Sequence, residues 1–149
     1  MFAIKVDPAN EATFEQIADS GNAIKQGIRV AHYQNGRLLV KTIRANINRK
    51  DKTGKIRIIR PRGRRRRHQA SAPGQTAANI TGAYRESIDF QPRGWRTMEF
   101  GSRVEHGEFL ERGTSKMKSR PGLRIAIDQT EGRRLSTYNK EVRRKIESK

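Results

Sequence analysis

The one place where this chain gathers groups suited to metal or acid–base chemistry is a short stretch around His106. Glu105, Glu108 and Glu111 surround that imidazole, and carboxylates with imidazole are the right types for metal ligation or proton transfer. A polar turn beside a strand explains the same residues more simply and is the preferred reading. His32 and His68 lie far from this stretch and from each other, so no histidine pair has ligand spacing. The absence of cysteine excludes disulfides, thiolate metal sites and cysteine nucleophiles. Thr114-Ser115-Lys116 follows Gly113, but it lacks the earlier glycine and buried strand of a phosphate-cradling loop. No serine joins a histidine and an acid by spacing alone. The chain therefore reads as non-enzymatic, with neither metal nor cofactor. An enzyme built on the Glu105–Glu111 stretch is the remote alternative; its activity would vanish with Glu108→Ala or His106→Ala.

Guanidinium groups offer a second chemistry. Arg60, Arg62, Arg64, Arg65, Arg66 and Arg67 form a run broken only by Pro61 and Gly63. Residues 51–75 hold nine basic side chains and one acidic one, nearly half of the formal net charge of +18. Guanidinium forks pair with phosphate oxygens and displace condensed counterions, giving affinity without reading sequence. The bland explanation is a solvated face that only confers solubility. Eight basic residues and no acid between Lys55 and Arg67 favour polyanion contact. Base recognition is disfavoured, because no aromatic residue between Tyr33 and Tyr84 can serve as a stacking platform. Membrane binding is disfavoured too: no amphipathic helix with bulky apolar residues flanks the run, and no apolar stretch approaches the ~18 residues of a span. Charge this dense, with Pro61 and Gly63 inside it, predicts an exposed, mobile basic loop insertion at about 60–79 that orders on assembly.

The elements that must position these groups belong to one domain, the expectation for 149 residues. A hydrophobic content of 33% leaves material for a single small core. Residues 1–9 carry Asp7 and Pro8 and no apolar h-region, so a secretory signal is not expected. Phe14, Ile17, Gly21, Ile24, Ile28, Ala31, Leu38, Ile43 and Ile47 recur at helical steps. They predict one long helix from Glu11 to Arg49, with Asn10 as N-cap and a kink near Asn35 and Gly36. That stripe is longer than one small core can cover, which assigns Ile24 and Ile28 to an oligomer interface. Lys55 to Arg60 reads as a short strand. Thr81 to Ile88 reads as a helical turn leading into a strand to Gln91, and Trp95 to Phe100 as another strand. A short helix is expected around His106 to Arg112, and a last helix from Gly122 to Ile146. Its stripe would be Leu123, Ala126, Ile127, Leu135, Tyr138, Val142 and Ile146. The fold class is α+β: a long N-terminal helix, a small antiparallel β-sheet with a long basic loop, and a C-terminal helix.

The second half of the chain resembles a known family. Thr81-Gly82-Ala83-Tyr84-Arg85-Glu86-Ser87-Ile88 is similar to the Thr-Gly-x-Leu-Arg-x-Ser-Ile signature of the small neck, or tail-completion (head–tail joining), proteins of tailed double-stranded DNA bacteriophages. Phe109 to Met117, with Glu111, Gly113, Thr114 and Met117, resembles that family's second signature. Arg120-Pro121-Gly122-Leu123 resembles the Arg-Pro-Phe-Leu that opens its last helix. Thr53-Gly54-Lys55 followed by Ser71-Ala72-Pro73-Gly74 is similar to a subset of the family. The matches run in order over residues 53–126. Tyr84 stands where Leu is usual, Gly122 where Phe is usual, and Ile125 where Pro is common. These positions look structural rather than catalytic.

The resemblance implies a virion structural protein of the neck, assembled in the host bacterial cytoplasm. It implies a homo-oligomeric ring, a hexamer, between the head–tail connector (adaptor) and the tail terminator or tail tube protein, with packaged double-stranded DNA passing through. A small basic nucleic-acid-binding protein of ribosomal or nucleoid type is the competing class. Acidic residues spread through the flanking segments argue against it.

Overall fold

The computed structural model describes residues 21–148 together with the backbone of residues 2–6. Ten elements follow in order: strand β1 (Phe2–Val6), helix α1 (Asn22–Asn48), strand β2 (Ile56–Ile59), a 3-10 turn (Pro61–Gly63), strand β3 (Arg66–Gln69), helix α2 (Ala83–Ser87), strand β4 (Ile88–Arg93), strand β5 (Thr97–Ser102), helix α3 (His106–Arg112) and helix α4 (Leu123–Glu147). The architecture is α+β.

Two long helices form the frame, α1 lying along α4 and against β4. Beneath them an antiparallel sheet has the order β1-β5-β4. Its register places Ile4 opposite Phe100 and Phe90 opposite Phe100. Strand β1 was not expected, although Phe-Ala-Ile-Lys-Val alternates with period two. A separate two-stranded sheet, β2 with β3, stands outside the main one.

The expected helix from Glu11 to Arg49 is shorter. Gly21 has φ of 99° and α1 starts after it, so no continuous helix runs through that position. Asn10, Phe14 and Ile17 lie outside the described residues. No kink occurs at Asn35 and Gly36, where α1 is unbroken. The helix tolerates its glycines because two of them let neighbours come close. A Cβ at Gly27 would sit 2.8 Å from the Glu141 carbonyl oxygen, and one at Gly36 would fall 2.1 Å from a Phe90 ring carbon.

The core has two parts strung along the same pair of helices. The larger contains Leu39, Ile43, Ile47, Tyr84, Ile88, Met98, Phe100 and Leu123. The smaller contains Ile24, Ile28, Ala31 and Tyr138, with Trp95 and Val142 packed against it. This overturns the interface assignment of Ile24 and Ile28. They are 3% and 0% exposed within the chain's own fold, so neither has surface left for a neighbour. Leu39 rather than Leu38 takes the buried position.

On α4 the buried face is Leu123, Ala126, Thr130, Arg134, Tyr138 and Glu141, while Leu135 and Ile146 are exposed. The seam between α1 and α4 is thus partly polar; most of its buried polar groups find a partner, and Asn35 Oδ1 is left without one. The His32 Nε2–H donates to the Trp95 carbonyl (3.0 Å), and Nδ1 accepts from the Tyr138 hydroxyl (2.7 Å). Asn35 Nδ2 donates to the Arg134 carbonyl at 3.2 Å, and Gln34 donates to Glu141 at 3.0 Å.

Candidate polyanion interface

Strands β2 and β3 pair antiparallel, with Ile59 opposite Arg66, Ile58 opposite Arg67 and Arg57 opposite His68. At the far end the chain turns through Pro61–Gly63, where Arg62 adopts φ of 53° and Gly63 φ of 80°. Two successive left-handed residues fold the backbone back sharply, and the second is glycine, which adopts that region without steric cost. Pro61 suits the first position because its fixed φ needs no donor there. At the base, Gly54 N–H donates to the Ala70 carbonyl (2.9 Å), and Ala70 N–H donates to that of Lys55 (3.1 Å). A Cβ at Gly54 would lie 2.6 Å from two carbonyl oxygens, so the crossing of the two strands requires glycine.

This corrects the expected mobile loop at about 60–79. Arg66 and Arg67 are strand residues of a β-hairpin, and the chain beyond them is tied to the body. The Arg120 guanidinium donates to the Ser71 carbonyl at 3.2 Å, and Gly74 N–H to that of Ser119 at 3.0 Å. Gln75 Oε1 accepts from the N–H groups of Thr53 and Ala72. Thr76 and Ala77 are buried.

The hairpin arginines remain as exposed as their charge requires. Arg60, Arg62, Arg64, Arg65, Arg66 and Arg67 all face solvent. Among the described residues none of them has a carboxylate partner, whereas ion pairs form elsewhere, for instance Arg93 with Glu99 and Arg144 with Glu141. Beside the hairpin lies a groove of about 910 Å³, walled by Arg62, Arg64, Arg65 and Arg66 on one side and by residues 79–82 with Arg85 and Glu86 on the other. Burial and the Arg66 charge push the His68 imidazole below its ordinary pKa, so at neutral pH the hairpin's charge comes from its Arg and Lys side chains. Ile56 and Ile58 are exposed beside them.

The acidic cluster around His106 is dispersed by the fold. Glu111 is buried and its carboxylate accepts from the N–H groups of Gly122 and Leu123, capping the start of α4. Glu108 lies 3.5 Å from Arg112, and His106 faces Tyr84 at 6.3 Å between rings. Burial pushes the Glu111 carboxyl above its ordinary pKa, against three backbone N–H groups and Arg124 that pull it down. Among the described residues no three metal-ligating side chains lie together.

The motif positions also have visible tasks. Thr81 Oγ1 accepts from Ala83 N–H, and Gly82 turns the chain at φ of 93° into α2. Ser87 Oγ donates to the Tyr84 carbonyl at 2.7 Å and meets Ser102 Oγ at 2.8 Å. Gly113, at φ of 79°, ends α3, where any Cβ would meet the Met117 carbonyl at 2.7 Å. Thr114 and Met117 exchange backbone hydrogen bonds of 2.7 and 3.2 Å. Arg120 N–H donates to the Leu110 carbonyl at 2.6 Å, the Pro121 carbonyl accepts from Thr76, and Leu123 is fully buried. Tyr84 is buried with its hydroxyl 3.3 Å from where a Cβ on Gly122 would stand. The aromatic ring at 84 therefore fills space next to the missing side chain at 122.

Sequence reasoning did not foresee that Arg85 belongs to the basic surface. It borders the hairpin groove and also a second groove on α1. The signal was present: Arg37, Lys41 and Arg44 share a helical face that the apolar stripe leaves free. No protein-family model, no curated protein and no solved structure matches the chain. Among the described residues no helix is long and apolar enough to cross a membrane.

Proposed function

We propose that the chain is a structural, non-enzymatic subunit of the neck of a tailed double-stranded DNA phage. In this reading it forms part of a ring, a hexamer, that joins the head connector to the tail and surrounds the DNA passage, with the arginine hairpin set against DNA phosphates. The observation that carries the polyanion contact is the hairpin itself: six exposed guanidiniums within eight residues and no carboxylate partner among the described residues. Such a surface gains free energy when phosphates replace mobile counterions.

Assignment to the neck rests on the three ordered motifs, and two features of the fold support it. Residues far apart in those motifs meet at one junction, where α3 ends, α4 begins and Glu111 joins them. Two of the three departures from the family pattern, a larger residue at 84 and a smaller one at 122, are neighbours in space, as expected of compensating changes in one packing site. A closed ring needs two different patches that meet. With Ile24 and Ile28 buried, the exposed apolar side chains Tyr33, Ile56, Ile58 and Phe109 are what such patches would draw on.

The test is a variant with Arg64, Arg65, Arg66 and Arg67 changed to Ser, assayed for duplex DNA binding across a salt series and for joining of heads to tails. With about four to six phosphate contacts, wild-type affinity falls by roughly a hundredfold or more between ~50 and ~200 mM salt. The variant loses most of that dependence and leaves unjoined heads and tails. Equal affinity, equal slope and normal joining would overturn the reading. DNA binding without any place in the particle would instead favour a ribosomal or nucleoid-type protein.

A further inference from the structure

A second basic groove lies on the body of the protein, away from the hairpin strands. Its volume is about 560 Å³, and its lining includes Arg37, Lys41, Arg44, Arg85, Asp89 and Phe90. Arg37, Lys41 and Arg44 follow one another at four- and three-residue steps on α1, so they share one face over roughly 10 Å of helix. Asp89 is the acid in this lining, and its carboxylate is already engaged by the Arg103 guanidinium. Among the described residues, none of the four cations is paired with a carboxylate.

One of these guanidiniums is held in place with a donor to spare. Arg44 gives Nε to the Arg85 carbonyl at 3.2 Å and Nη2 to the Ile88 carbonyl at 3.1 Å, which leaves Nη1 outside those bonds. Arg85 Nε is sealed from solvent and has no acceptor. Arg85 borders both grooves. Arg85 therefore links the groove at the hairpin to the one on α1.

We infer that the α1 face of Arg37, Lys41 and Arg44, joined by Arg85 to the hairpin groove, is a second binding site for the sugar–phosphate backbone of duplex DNA. The inference rests on the polyanion reading of the hairpin and extends it to a surface of the body. The lining supplies cations beside Phe90, and the Oδ1 of its one amide, Asn48, already accepts from Asn79 at 3.3 Å. Binding here is through charge and shape, and α1 fixes the register of the hairpin on the duplex.

The experiment uses the full chain and a duplex of mixed sequence, with affinity measured from ~50 to ~200 mM salt. Arg37→Gln with Lys41→Gln removes two exposed cations that make no hydrogen bond needed by the fold. Lys140→Gln with Arg143→Gln removes the same charge from α4 and controls for net charge. Each lost phosphate contact lowers the salt slope by about 0.9. Wild type should therefore lose about twelvefold more affinity over this range than the α1 variant, while the α4 variant behaves as wild type. An unchanged slope in the α1 variant, with the slope still lowered by Arg64–Arg67→Ser, overturns this site and leaves the hairpin reading intact. Equal losses from the α1 and α4 variants also overturn it, since binding would then follow net charge alone. If wild type binds no duplex at any salt, both readings fall, and the basic surface is left to an acidic protein partner.

Discussion

Arginine has two opposite fates in this molecule. On the hairpin, Arg64 to Arg67 are exposed and their guanidiniums face water. In the helical seam, Arg134 is 7% exposed, donates Nε to Thr130 Oγ1 at 3.2 Å and Nη2 to the Ile127 carbonyl at 3.1 Å, and carries a pKa that burial lowers. Arg120 is spent likewise on the Ser71 and Lys118 carbonyls. These two guanidiniums brace acceptors of the chain itself, while those of Arg64 to Arg67 make no side-chain bond among the described residues. Charge counted along the sequence treats the two alike. Only the set whose donors are not consumed by the fold is available to a partner.

The sharpest way to break this division is at the neighbouring apolar site. Ile28→Asp buries a carboxylate among Ile24, Ala31 and Tyr138 and should destabilise the isolated chain by about 3–5 kcal/mol, close to the whole stability of a small domain. Denaturant unfolding measures it. A variant that folds with wild-type stability and fails only in assembly would return Ile28 to a subunit interface. Arg134→Ala comes next. It should cost about 1–3 kcal/mol through lost packing and through the partners left behind, with DNA affinity changed only as one surface charge would change it. Glu111 gives a smaller effect with a definite sign. Its native pKa is raised, so the folded chain holds that proton to higher pH than the unfolded chain does. Its contribution to stability is therefore largest at low pH and declines as pH rises from the ordinary carboxyl value through the native one. Glu111→Gln keeps an acceptor for the Gly122 and Leu123 N–H groups and flattens this decline. A wild type that gained stability over the variant with rising pH would show that the helix-capping charge outweighs burial. Smallest of all, Arg64–Arg67→Ser should shift folding stability by no more than about 0.5 kcal/mol, as exposed substitutions do. A larger loss would make these arginines struts after all.

Much of the frame was legible because it is written locally. Helix α4 begins one residue after the expected Gly122, and α3 spans His106 to Arg112 as its pattern predicts. The hairpin was half legible. Lys55 to Arg60 alternates enough to show β2, but Arg66-Arg67-His68-Gln69 carries no apolar signal, and β3 exists through its pairing with β2. The kink expected at Gly36 is absent because the closeness of the Phe90 ring is a property of the packed chain. The α4 stripe failed at Leu135 and Ile146 for a related reason. The turn of the helix sets Thr130, Arg134 and Glu141 against α1, and hydrogen bonds make those polar residues acceptable there. As for the candidate site, the arginine run was evident from composition. Its union with Arg85 and the α1 face needed the fold, because residues 37–44 and 85 are distant in sequence.

Helix α1 passes through both apolar clusters, with Ile24, Ile28 and Ala31 in one and Leu39, Ile43 and Ile47 in the other. On the buried face between them lie His32, Asn35 and the glycine that receives the Phe90 ring. Neither cluster can open without unwinding helix that the other holds, so the amides of α1 and α4 should exchange with solvent as one cooperative unit. The hairpin, whose strands pair only with each other, exchanges on its own, far sooner. The part of the fold that yields first is thus the part that carries the exposed arginines.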